Sequence, residues 1–189
     1  LRLSDNRYEL CYSYGKAIPL YAVLYHPYLR NFMGNQVSCP LAYTTELVEL
    51  RMAYSFLAGD LLTFVLNDDG EIMFHWGMRD FSKTPDREEL IAFAAELQSW
   101  HKRCPELFRD AEMIKPVGFG TDEIELAKRG GLPSFENAVL STAWQVGEKR
   151  VQLFVNWTHE PRVCKFGERP DGFPEEITVD AIGVASVEF

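Results

Sequence analysis

Three side chains near the start of the chain have the types for ligand recognition by hydrogen bonding and ring stacking. They are Tyr25, His26 and Tyr28, which close the run Pro19-Leu-Tyr-Ala-Val-Leu-Tyr-His-Pro-Tyr28. An imidazole exchanges hydrogen bonds with hydroxyls, and an aromatic ring stacks on the apolar face of a pyranose. The same residues would also suit a plain core, as a hydrogen-bonded histidine beside packing tyrosines. A second candidate is Asn67-Asp-Asp-Gly70. Neighbouring residues of an extended chain point to opposite sides, so at most one of its acids would enter a site, and Asp68 is the candidate. An ordinary turn accounts for the same four residues.

A complete catalytic set is not visible. Glycoside hydrolysis takes two carboxyl groups, about 5–5.5 Å apart for retention and about 6.5–9.5 Å for inversion. Asp60 and Asp80 are isolated acids that suit a solvated surface, and no spacing marks such a pair. Catalytic residues therefore stay unassigned. His26, His75, His101 and His159 are dispersed, whereas two metal ligands on one helix would stand at i and i+4, so no metal is expected. Cys11, Cys39, Cys104 and Cys164 form none of the close pairs of a zinc or redox motif. Gly118-Phe-Gly120 lacks the third glycine of a dinucleotide loop, and no Gly-x-Ser-x-Gly elbow occurs, so no cofactor is expected. Asn156-Trp-Thr158 matches a glycosylation acceptor but ends a predicted strand. Trp144 and Trp157 could form a stacking platform for sugar, yet both lie in the apolar phase of their strands, which favours core packing.

The elements that would position these groups follow from periodicity. The apolar run from Pro19 predicts a strand buried on both faces, with His26 and Tyr28 at its carboxyl end, where β/α folds bind ligands. Residues 29–44 read as a long loop. Thr44 or Thr45 caps a helix with Leu47, Leu50, Tyr54 and Leu57 on one face, Glu46 and Glu49 beside its positive end, and Gly59 at the C′ position. Leu61 to Leu66 predicts a second buried strand, which completes a βαβ unit. Thr84-Pro85 opens a longer helix with Leu90, Phe93, Ala94, Leu97, Trp100 and Cys104 on one face. After a glycine-rich crossing segment over residues 117–134, the period switches to two. Ala138, Leu140, Thr142 and Trp144 alternate, as do Val151, Leu153, Val155 and Trp157 around a turn at Gly147-Glu148, with further strands over 162–166 and 177–189. The fold class expected is α/β plus all-β, with a β/α part at residues 1–116 and an antiparallel β part at 117–189.

Bulk composition narrows the partners. The chain has 189 residues, 47% of them hydrophobic, which is enough for a substantial core. Its formal charge of −9, from 19 basic against 28 acidic residues, argues against nucleic acid. No apolar run approaches the ~20 residues of a membrane-spanning helix. Carbohydrate, a neutral ligand, is compatible with this balance.

The order of these stretches resembles a family. Pro-Leu-Tyr leading to Tyr-His-Pro-Tyr28, Phe56-Leu-Ala-Gly-Asp60, Ala111-Glu-Met-Ile-Lys-Pro116 and Val151-Gln-Leu-Phe-Val-Asn-Trp157 together look like the C-terminal portion of large, mostly uncharacterised bacterial glycoside-hydrolase-like proteins. The resemblance spans roughly residues 17–189. It implies the closing units of a (β/α)8 barrel followed by a small β-sandwich. A whole barrel takes about 250 residues, so the remaining units and catalytic carboxylates would lie upstream of Leu1. Self-association, or completion by the missing segment, is expected of open strand edges. A non-catalytic carbohydrate-binding module and a small self-contained α/β enzyme are the alternative readings.

Overall fold

The computed structural model describes residues 20–29, 31–35, 45–70, 86–126 and 134–189. Its elements in chain order are α1 (Leu20–Tyr25), β1 (Phe32–Asn35), α2 (Thr45–Leu57), β2 (Leu61–Thr63), α3 (Arg87–Arg103), β3 (Glu112–Ile114), β4 (Phe119–Gly120), β5 (Glu123–Leu126), β6 (Ser134–Asn137), β7 (Val139–Val146), β8 (Lys149–Asn156), β9 (Arg162–Phe166), β10 (Glu176–Val179) and β11 (Gly183–Glu188). The chain is thus a mixed fold in which antiparallel sheets predominate.

The first difference from expectation is α1. The apolar run from Leu20 is a short helix and not a buried strand. Only Ala22 and His26 of its residues are buried, four positions apart on one helical face, while Leu20, Val23, Leu24 and Tyr25 stay exposed. A short unbroken apolar run carries no period of its own, so packing on one side decided between strand and helix. Pro27 has no amide hydrogen to extend the ladder, and the chain closes in a turn with Tyr28 and Leu29 both donating to the Tyr25 carbonyl.

A βαβ unit forms nevertheless, with a different first strand. β1 pairs in parallel with β2, Phe32 opposite Leu61, and α2 connects them. Beside this pair the Leu61 amide donates to the Asn31 carbonyl at 2.9 Å, and Asn31 Nδ2 donates to Asp60 Oδ1 at 3.0 Å. Asp60 is therefore a buried joint and not a surface acid. Leu61 is 40% exposed, so β2 is not the doubly buried strand expected from its composition. At the end of β2, Asn67 Oδ1 accepts from the Asp69 amide and Gly70 takes φ +80°, which is the turn reading of that stretch. Asp80 lies outside the described residues.

The cap of α3 stands two residues after the expected Thr84. Asp86 Oδ1 accepts from the Glu89 amide at 3.1 Å, and the Asp86 amide donates to Thr45 Oγ1, tying the starts of α2 and α3 together. Leu90, Phe93, Ala94, Leu97 and Trp100 are buried as their spacing predicts.

The largest sheet runs β11-β8-β7-β3, antiparallel throughout. Its β7–β8 hairpin turns at Gly147, whose φ of +58° at the first central position suits a two-residue loop. The expected alternation is correct: Leu140, Trp144, Val151, Leu153, Val155 and Trp157 share one apolar cluster with Phe56 of α2 and Phe93 and Leu97 of α3. Trp144 and Trp157 are buried in that layer. The opposite face is covered too, because Val139 and Phe154 pack against Cys164, Phe166 and Val179 of the β10-β9-β4 sheet. The glycine-rich segment supplies strands: β4 pairs with β9 and β5 with β6.

The junction of the two parts is tight. The His26 ring lies 4.5 Å from that of Trp144, and His26 Nδ1 is 3.0 Å from the Ala111 carbonyl. Gly59 takes φ +77° as the C′ residue of α2, and a Cβ there would run into the His26 ring. Trp144 Nε1 donates to Thr142 Oγ1, which in turn donates to the Leu57 carbonyl at 2.9 Å, closing the end of α2. Gly70 has a similar φ of +80° with open space around it. Gly59→Ala is therefore expected to cost about 2 kcal/mol more than Gly70→Ala in urea unfolding, the difference being overpacking alone. Equal losses would contradict the packing of His26 on Gly59.

Candidate functional site

α2 places a carboxylate where none would be expected to sit bare. Its Val48, Leu50, Met52, Ala53 and Phe56 are buried, and so are the interspersed Glu49, Arg51 and Ser55. Glu49 has 0% exposure. Such a group needs a partner from another element, and the turn after β8 provides it. Asn156 is buried, and its Oδ1 accepts from both the amide and the hydroxyl of Thr158. Its Nδ2 donates to the carbonyls of Glu160, Val179 and Asp180. This web shapes the turn that presents His159, and it leaves the Asn156 amide no access to a glycosylating enzyme.

His159 bridges two carboxylates. Nε2 lies 2.9 Å from Glu49 Oε2, and Nδ1 lies 2.9 Å from Glu89 Oε1 in the first turn of α3. Burial pushes the Glu49 carboxyl up to about 7; His159 opposes that rise, and the charges of Glu89 and Glu46 add to it. Burial by itself would lower the imidazole, but Glu49, with Glu89 and Glu46, outweighs it and holds His159 above its ordinary value. The pair therefore keeps a proton to higher pH than either group would in water. One donor atom from each of Glu49, Glu89 and His159 lies within 4.8 Å of the others, so these three are the described residues that could hold a metal ion. A carboxyl titrating near neutrality is also suited to moving protons.

The residues expected from the sequence do not join this cluster. Tyr25 and Tyr28 lie at the end of α1 and are exposed, Tyr28 by 80%. His26 is buried between Ala111, Gly59 and Trp144, and Asp68 is exposed in its turn. A cavity of about 300 Å³ opens between α1 and the β3–β7 edge, lined by Val23, Met113, Ile114, Lys115, Pro116, Ser141 and Thr142. Glu49 and His159 stand 110 positions apart, so no local pattern pairs them. The only signal was an acid set among the apolar residues of α2, which reads equally well as a helix-dipole partner.

Both shifts are upward, so the folded chain keeps protons that the unfolded chain has released. That stabilisation is complete below the ordinary values of 4.5 for Glu49 and 6.5 for His159. It is lost as pH rises through the folded values. In metal-free buffer, stability should fall between about pH 5 and pH 8 by on the order of 2 kcal/mol more in the natural chain than in Glu49→Gln. Parallel urea-unfolding profiles for the two would contradict the buried couple.

No family model matches the chain, and no curated protein matches it. Two solved structures, both glycoside hydrolases, are weak neighbours. The cyclic alpha-maltosyl-(1→6)-maltose hydrolase from Arthrobacter globiformis, in its ligand-free form, gives a TM-score of 0.48 at 11% identity over 87% of this chain and 36% of that one. Gan42B, a GH42 beta-galactosidase, gives a TM-score of 0.25 at 20% identity over 51% of this chain and 12% of that one. The chain spans little more than a third of the first of these proteins.

Proposed function

We propose that the chain is a segment of a glycoside-hydrolase-like protein, with closing β/α units of a (β/α)8 barrel in residues 1–116 and an accessory β-sandwich in 117–189. It contributes sugar contacts and not the full catalytic set. The observation that carries this reading is the β1–α2–β2 unit. Among the described residues it is a two-stranded parallel sheet. Phe32 and Leu61, paired across it, are 42% and 40% exposed. Parallel sheets are ordinarily covered on both faces and continued by further strands. The remaining strands, and the carboxylates of hydrolysis, belong upstream in this reading. The two packed sheets that meet through Phe154 and Phe166 supply the sandwich, and α2 and α3 pack on the other face of its larger sheet.

Sugar contact falls to Tyr25 and Tyr28, whose rings are open to solvent, with Asp68 as a further polar contact and His26 supporting α1 from beneath. A free-standing carbohydrate-binding module has less in its favour, since Trp144 and Trp157 are both committed to the core.

The isolated chain is expected to release no chromophore from a panel of aryl glycosides, whereas a chain extended by its upstream coding sequence should do so. In the extended protein, Tyr28→Ala should raise KM several-fold and leave the melting temperature unchanged. Robust turnover by the isolated chain would overturn the proposal, as would a Tyr28→Ala variant with unaltered KM.

A further inference from the structure

The cluster of Glu49, Glu89 and His159 has two features that a proton alone does not explain. Glu49 Oε1 lies on a side chain with no exposure and has no hydrogen-bond partner among the described residues. In addition, among the described residues the cluster sets Glu46, Glu49 and Glu89 against one imidazole, so acids outnumber cations there. A buried carboxylate with a free oxygen beside an imidazole nitrogen is a natural pair of cation ligands.

We infer that this seam binds a divalent transition cation of the zinc class, held by the Glu49 carboxylate and His159 Nε2, with Glu89 orienting the ring. The 2.9 Å between Nε2 and Glu49 Oε2 is within about 0.5 Å of the separation of adjacent ligands on a tetrahedral ion, about 3.3–3.5 Å for bonds of about 2.0–2.1 Å, so a small rotation of the carboxylate would admit the ion. Only one ring nitrogen can face the ion. Nδ1 remains protonated and donates to Glu89 Oε1, the carboxylate–histidine–metal arrangement that fixes the tautomer. An imidazole donor favours zinc, copper, iron or nickel over calcium, magnesium and manganese. Binding balances by releasing the proton that the Glu49–His159 pair holds, which passes to the buffer while the ion takes over its charge. The consequence is mechanical: the ion would fasten the turn after β8 to α2 and, through Glu89, to α3. This inference is independent of the glycosidase reading.

The test is titration of the chelator-stripped full chain with cobalt(II), followed by visible absorption and by calorimetry in two buffers of different ionisation heat. Saturable d–d bands with about one ion and about one released proton per chain are expected. Glu49→Gln and His159→Ala should abolish the bands. Glu89→Gln, at a half-exposed position that folding tolerates, should weaken binding by about tenfold or more. Absence of saturable bands in the natively folded chain would overturn the inference and leave a site for protons only. Bands that persist unchanged in Glu89→Gln and His159→Ala would overturn it as well, because the ion would then lie elsewhere.

Discussion

Burial of the β7–β8 hairpin on both faces is the constraint on which the rest of the structure depends. One face carries Trp144, Leu153 and Trp157 against the two long helices, and the other carries Phe154 against the smaller sheet. Truncating any one of these large side chains to alanine would cost about 2–5 kcal/mol, a large share of the stability of an ordinary domain. The helices are placed by that surface. Trp144 touches His26 of the α1 turn, and its indole N–H reaches the end of α2 through Thr142.

A sheet covered on both sides must account for every polar group it encloses. Gln152 does so by bonding both the amide and the carbonyl of Val117 together with Ser141. Asn156 shapes the following turn through five hydrogen bonds to Thr158, Glu160, Val179 and Asp180. These two amides carry the β4 segment and the β9–β10 region, and they fix the position of His159. Glu49 is one of the buried side chains whose account does not close with hydrogen bonds among the described residues, and it is the one that stands beside an imidazole.

Much of the scaffold was legible because its periods are strong. The alternating residues of β7 and β8 forecast the face that meets the helices, and the spacing from Leu90 to Trp100 forecast the buried side of α3. Gly59 and Gly70 announced their turns through the positive φ that each adopts. The run from Leu20 to Tyr25 was not legible, since six apolar residues fit a helix or a strand and only the contact of Ala22 and His26 with the interior selects the helix. The Glu49–His159–Glu89 cluster was invisible for another reason. It joins two helices and a turn from distant parts of the chain, and such a meeting is a property of the tertiary fold.

In the proposed reading the parallel β1–β2 pair is one piece of a larger sheet. Sedimentation velocity of the isolated 21.7 kDa chain over a concentration series tests it most directly. Self-association that rises with concentration is then expected, and it should disappear in a longer chain that supplies the neighbouring strands. A single monomeric species at every concentration would contradict it.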